Sequence, residues 1–457
     1  MVRKATIKQL PTTRQFVQRA LMARRFDHGA KRPRRLVQGR SRSAGFGADF
    51  LFEKDAILVR EEFFEKVCEI LAKLYLLPAD EDRRRRRPVL AGIRLLRLRR
   101  DVNPQLSELE ILGLIHDGGK RTINRPPDDS KRGRSRRATE KVTVIGLGRG
   151  VAGLNHAIHL CGNGAGCPAD EPEPLPVMSS PWPGFSTDRG AGEGVKVVVV
   201  DTGFDKSARK RSKWLKGVRG DNDYAINGST LAEYAGHGTF IAGIIKCVAP
   251  RAEVVVRQVF GFGGAALESD LVARLDDILE EDHPDIISMS AGTRAYDASG
   301  PLTFPVFAER LSRHKGVVMV VAAGNDGDRE PFWPAASPYT VSVGALGTHW
   351  RGIAAFSNYG GWVDVYAPGQ ELVNAFPEGT YTYNEPPFAM PGQAARVEQF
   401  YGMARWSGTS FSTPIVAGLV AARMSHTGEN GQEAAAALIA EAQAAAQPGV
   451  GAVLLPD

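Results

Sequence analysis

Cysteine is scarce, with only Cys68, Cys161, Cys167 and Cys247 in 457 residues. That is far too few for a disulfide-built scaffold, and the spacing completes no zinc-ligand set. A reducing compartment is therefore the expected setting. No run of 18 apolar residues occurs, so no membrane-spanning helix is expected. The opening stretch MVRKATIKQLPTTRQFVQRA lacks the apolar centre of a secretory signal. These absences lead to the expectation of a cytoplasmic chain without a membrane partner. What is present is 43% hydrophobic residues, enough for at least one large core, in a length that suits two or three domains.

The net charge of +7 conceals two opposite halves. Residues 1–150 hold 36 Lys and Arg against 18 Asp and Glu; the remainder holds 22 against 33. A basic half usually marks a solvated arm or a surface for a polyanion, but here an acidic partner is available in the same chain.

Residues 1–45, with KRPRRLVQGRSRSAGFG, offer little to bury and are expected to be a disordered basic arm. Over 46–150 the patterns predict strand DAILVR, helix EEFFEKVCEILAKLYLL, strand AGIRLLRLRRD, helix NPQLSELEILGLIH and strand KVTVIGL, a small α+β domain. Residues 151–193, centred on CGNGAGCPADEPEPLPVMSSPWPG, are expected to form a Pro/Gly-rich linker. From 194 to 457 the near-continuous Val/Ile runs VKVVVVDTG, AEVVVRQVF, DIISMSAG and VVMVVAAGN alternate with helical stretches. That pattern predicts a three-layer, doubly wound α/β domain with a parallel sheet. Ligands of such sheets gather at the carboxyl ends of the strands, where Asp201, Ser290 and Asn325 fall.

The stretch SGTSFSTPIVAG, Ser407 to Gly418, places many hydroxyls where a helix should begin, near Thr409 or Ser410. Pro414 is expected in or near the first turn, where a missing N–H costs little. A serine is a poor nucleophile unless a base lies within hydrogen-bond reach and a third group orients that base. GHGTFIAG supplies His237, and VVVVDTG supplies Asp201.

DTG after an apolar strand, GHGTFIAG opening a helix and SGTSFSTPIVAG opening another, in the order Asp, His, Ser, resemble the subtilisin-like serine proteases, the subtilase or peptidase S8 family. The likeness runs from about Gly194 to Met424, with SMSAGT, VAAGNDG and YAPG in support. It implies Ser410 as nucleophile, His237 as general base and then acid, and Asp201 as the group holding the imidazole tautomer. It further implies Asn325 as oxyanion donor together with the Ser410 N–H. Ser290, Ala291 and Gly292 match the segment that pairs with an extended substrate. Gly292 on one side and Ala322, Ala323 and Gly324 on the other would wall a pocket for the residue before the scissile bond, expected to be large and apolar. The stretch DGDREPFWPAASPYT, with Arg329 and Glu330, leaves the floor of that pocket unassigned, and VFGFGGAAL is short for a substrate-binding loop.

The resemblance implies a serine endopeptidase acting on protein or peptide substrates without an organic cofactor. Many relatives bind calcium, but no loop of matching ligand spacing is visible near Asp205 or Asp221 to Asp223. The small α+β domain resembles, in element order and position, the pro-domains that precede many subtilase catalytic domains. Residues 1–150 would then act as an intramolecular inhibitor and folding helper, with self-cleavage expected between Pro172 and Gly194. A catalytically silent scaffold, and a nucleic-acid-associated protein with an appended protease, are the competing readings; RRRRR, Arg83 to Arg87, is most simply a solvated loop. VIGLGRGVAG imitates a dinucleotide-binding turn, but Val151 stands where its third glycine should.

Overall fold

The computed structural model describes residues 35–40, 49–77, 89–126, 138–160 and 169–456, apart from 262, 297, 386, 387, 390 and 391. Arg83 to Arg87, Cys161, Cys167 and most of the basic arm lie outside the described residues.

The N-terminal lobe comprises β1 (Leu36–Arg40), β2 (Asp49–Arg60), α1 (Phe64–Lys73), β3 (Ile93–Arg97), α2 (Glu108–Asp117), β4 (Gly119–Asn124), β5 (Thr139–Val144) and β6 (Ala152–Leu160). Apolar residues of α1 and α2, among them Val67, Leu71, Ile111 and Ile115, share one core with Ile57 and Val59 of β2. Ser107 caps α2 with a full capping box to Glu110, which helps set where that helix begins. The expected elements are present, but among the described residues the strand KVTVIGL (β5) pairs with β4 alone. The strand that completes the lobe's sheet beside β2 is β6. Residues 152–160 are therefore a strand and not linker. A strand also follows VIGLGRG where a dinucleotide turn would need a helix.

Next come β7 (Glu173–Leu175), β8 (Lys196–Asp201), β9 (Arg219–Gly220), β10 (Ile226–Asn227), β11 (Thr230–Leu231), α3 (His237–Val248), β12 (Glu253–Gln258), β13 (Ala265–Leu267), α4 (Glu268–Asp282), β14 (Ile286–Met289) and β15 (Ala291–Gly292). The chain closes with α5 (Thr303–Leu311), β16 (Val318–Ala322), β17 (Val341–Leu346), β18 (Val365–Pro368), β19 (Leu372–Thr382), β20 (Val397–Trp406), α6 (Thr409–Thr427) and α7 (Gly431–Ala444). Seven strands form the central sheet in the order β18-β17-β16-β14-β8-β12-β9, and every pairing is parallel. Val197 to Val200, Ile286, Ile287 and Val320 to Val321 are fully or almost fully buried, as strands covered by helices on both faces require. Helices α3 and α6 pack on each other, and α6 lies across β14, β16, β17 and β18. A second sheet, β10-β11-β19-β20-β7, sits beside them.

The lobe's sheet does not end at its own boundary. β6 pairs antiparallel with β13 on one side and β15 on the other, so it lies between two segments that follow the carboxyl ends of central strands. Among the described residues no helix is long and apolar enough to cross a membrane.

Candidate active site

Asp201 ends β8, and His237 opens α3; both are fully buried. A Cβ on Gly238 would meet the Gly203 carbonyl oxygen at 2.3 Å and the Asp201 Cβ at 3.2 Å, so only glycine lets the helix start approach the strand end this closely. The His237 Nδ1 then lies 2.9 and 2.8 Å from the two Asp201 carboxylate oxygens. With Nδ1–H donating to a carboxylate, Nε2 is left as the basic nitrogen. Trp406 and Phe411 rings, each 5.5 Å from the imidazole centroid, keep water from its flanks.

Ser410 lies in the first turn of α6, fully buried. Its Oγ and the His237 Nε2 are both buried without a hydrogen-bond partner among the described residues. Buried polar atoms are normally paired, so an unpartnered hydroxyl and imidazole nitrogen at the ends of α6 and α3 stand out as groups available for chemistry. Pro414 is the sixth residue of α6, one turn deeper than expected. Its missing N–H deprives the Ser410 carbonyl of its helical donor, and the Ser290 Oγ donates to that carbonyl instead at 2.9 Å. The Ser290 hydroxyl thus holds the helix that carries Ser410, while its neighbours Ala291 and Gly292 form the pairing edge.

The α6 entrance has no side-chain cap at Gly408. Its hydroxyls serve the neighbouring strand end. The Asn325 Oδ1 accepts from both the Thr409 N–H and the Thr409 hydroxyl at 2.9 Å each, and Thr409 Oγ1 accepts from Gly324 N–H at 3.2 Å. With its carbonyl end committed to Thr409, Asn325 turns its amide nitrogen the other way. Thr409, which sequence patterning gives no reason to select, is thus the group that orients the expected oxyanion donor.

The bracing roles of Asp223, which the sequence offers only as a calcium candidate, and of Arg294 were also invisible in the sequence. Asp223 accepts from the Gly236 N–H at 2.7 Å and the Ala225 N–H at 3.0 Å, with the Thr202 hydroxyl at 3.4 Å, and so ties the strand carrying Asp201 to the helix carrying His237. Burial, and secondarily the charge of Asp201, pushes its carboxyl up to about 7. Arg294 is buried and bridges Asp326 at 2.9 Å and Asp328 at 2.6 Å, pinning the loop after Asn325. Asp205 pairs with Arg211 and Asp221 with Arg257, so the aspartates considered for calcium are engaged with guanidinium groups or, for Asp223, backbone N–H donors. Among the described residues no cluster of three His, Cys, Asp or Glu is placed to hold a metal.

The cleft beside Ser410 holds β6. His159 and Leu160 pair with Gly292 and Ala291, while Ala157, Ile158 and His159 pair with Leu267, Ala266 and Ala265. The short loop VFGFGGAAL thus still supplies a pairing strand, β13. Leu160 N–H donates to Gly264 at 2.9 Å. The stretch expected to carry the cleavage site runs elsewhere: Glu173–Leu175 pairs with β20, Trp182 bridges Val373, and Ser186 N–H donates to Cys247, ten residues along α3 from His237. Ten helical residues span roughly 15 Å. Phe332 is fully buried at the end of the loop whose floor the sequence left open.

The peptidase S8 subtilase family model matches residues 192–452, more than half the chain. The chain belongs to the subtilase family. Subtilisin-like protease 2 of Arthroderma benhamiae is 33% identical over 273 residues, 57% of each chain. The major intracellular serine protease of Bacillus subtilis (strain 168) is 28% identical over 258 residues, 53% of this chain and 72% of that one. A crystal structure of a cold adapted subtilisin-like serine proteinase aligns with this subtilase at 22% identity and a TM-score of 0.44, over 62% of this chain and 97% of that one. This subtilase thus spans little more than half the length of the first of these relatives.

Proposed function

We propose that this subtilase is a serine endopeptidase that hydrolyses protein or peptide substrates through an acyl-enzyme and is made as a precursor that cuts itself. The observation that carries this is the fully buried Asp201–His237 pair, whose remaining imidazole nitrogen and the buried Ser410 hydroxyl lack partners among the described residues. Ser410 Oγ attacks the scissile carbonyl carbon as its proton passes to His237 Nε2, and Asp201 stabilises the imidazolium. The carbonyl oxygen, gaining charge, takes hydrogen bonds from the Asn325 amide and the Ser410 N–H, a first-turn donor without an intrahelical acceptor. His237 returns the proton to the leaving amine as the C–N bond breaks, and water activated by the same base then hydrolyses the ester. No step needs a cofactor.

The N-terminal lobe is read as an intramolecular inhibitor. β6 supports this because it occupies the cleft as a paired strand with its C-terminal end one residue short of Ser290. Self-cleavage is accordingly expected just beyond Leu160, within 161–168, and not in 172–194. Ile158 and Leu160 are fully buried, an apolar contribution of about 1.5–3 kcal/mol each. Asn155 exchanges hydrogen bonds with Ser269, and His156 Nδ1 lies 2.7 Å from the buried Glu268 carboxylate. The excess of basic residues in 1–150 over an acidic remainder adds attraction that salt weakens.

A fluorophosphonate probe tests the core of the proposal. It should label Ser410 in the processed protein and leave Ser410→Ala unlabelled, with peptidase activity following the label; a wild-type chain inert to probe and peptide alike would make it a silent scaffold.

A further inference from the structure

β14 and β16 are adjacent parallel strands, and the segments leaving their carboxyl ends, 290–292 and 322–325, part to form the crevice beside Ser410. A peptide on the track of β6 reaches Ser410 along this crevice, and its alternate side chains face the same way. The His159 ring lies 6.0 Å from the Phe332 ring. The substrate residue two positions beyond that of His159, next to the scissile carbonyl, therefore also points toward Phe332.

Phe332 leaves little room there. A Cβ added to Gly292 would meet Phe332 Cε1 at 2.3 Å, and one on Gly324 would meet Phe332 Cδ1 at 3.0 Å, so the ring bridges the two walls. It also packs on Ala322 and against Trp362. The adjacent Trp333 exchanges two backbone hydrogen bonds of 2.8 Å with Thr293, which fixes the ring relative to Gly292. Arg294 pins the start of the same loop through Asp326 and Asp328. Moving the backbone that carries the ring would break this doubly bonded anchor.

We infer that Phe332 fills the pocket for the residue preceding the scissile bond, so that this subtilase takes substrates with a small side chain there, of alanine, glycine or cysteine size. The inference rests on the protease reading above and replaces the large apolar residue expected from the sequence. The chain's own sequence agrees: the residue two positions beyond His159 is Cys161, within the stated size.

The test uses the full chain as purified, with quenched peptides carrying Ala-Ile-His-Leu-X-Gly, where X is Ala, Cys, Leu or Phe. Wild-type kcat/KM should favour X = Ala or Cys over X = Phe by at least roughly 100-fold, the discrimination a sterically closed apolar pocket gives. Phe332→Ala should narrow that ratio by at least about tenfold, and Phe332→Leu by less, which keeps the comparison open if the smaller variant folds poorly. Wild-type preference for X = Phe, or a ratio unmoved in folded variants that still turn over peptide, overturns the filled pocket alone. Failure of the wild type to cut every peptide and to react with fluorophosphonate overturns the protease reading and this inference together.

Discussion

At the residue scale the Asp201–His237 geometry makes strong demands. If Asp201, His237 and Ser410 act as the proposed unit, Ser410→Ala or His237→Ala should each lower kcat by about 10⁶, the size of the loss when the corresponding residues are removed from subtilisin. Stopped assays on processed enzyme would measure it, and a loss under about 10³ would place the nucleophile elsewhere. Asn325→Ala should lower kcat by about 10² to 10³ with little change in KM, since its amide meets charge that exists only in the transition state; a raised KM with unchanged kcat would make it a substrate-positioning group. Asp223 gives a different signature. Its carboxyl, raised to about 7 mainly by burial, is above its unfolded value. Its stabilising contribution is therefore full below about pH 4 and is lost as pH rises through 7, up to roughly 4 kcal/mol. Glu171, also raised to about 7 by burial, acts in the same window. Denaturation midpoints measured from pH 4 to 8 should flatten in Asp223→Asn, and further when Glu171→Gln is added; an unchanged slope would show that these carboxyls titrate normally.

At the element scale, the Ser290 hydroxyl does the work of the N–H that Pro414 lacks. Ser290→Ala leaves the buried Ser410 carbonyl unpaired and should cost about 1–3 kcal/mol. Pro414→Ala restores the helical donor, so the double variant should be less destabilised than the sum of the two singles; strict additivity in urea melts would refute the substitution of one donor for the other. The central strands, the three motif-bearing segments and both lobe helices were legible because each carries its pattern locally: buried Val/Ile runs, amphipathic spacing, glycines beside His237. β6 was not. Its sequence, AGLNHAIHL, sets Asn155, His156 and His159 among apolar residues beside a glycine-rich stretch, and what makes it a strand is pairing with β13 and β15, over a hundred residues away. Phe332 was hidden for the same reason, since a loop aromatic becomes a pocket filler only through glycines 40 and 8 positions back in the chain.

For the whole molecule, the lobe and the subtilase domain are joined by a strand, β6, paired between β13 and β15, where the proposed function places a substrate. The Asn155–Ser269 exchange and the buried Ile158 and Leu160 hold it there, and on the proposed reading the opposite charges of the two halves add to them. On the proposed reading β6 is an inhibitor bound in substrate register, one bond from being substrate, with Ser410 just past its end. The most direct measurement is intact-mass spectrometry of the purified chain beside its Ser410→Ala form. The wild-type chain should be broken within residues 161–168, and the Ser410→Ala chain should stay whole. An intact, active wild type, or the same break in Ser410→Ala, would contradict the proposed self-cleavage.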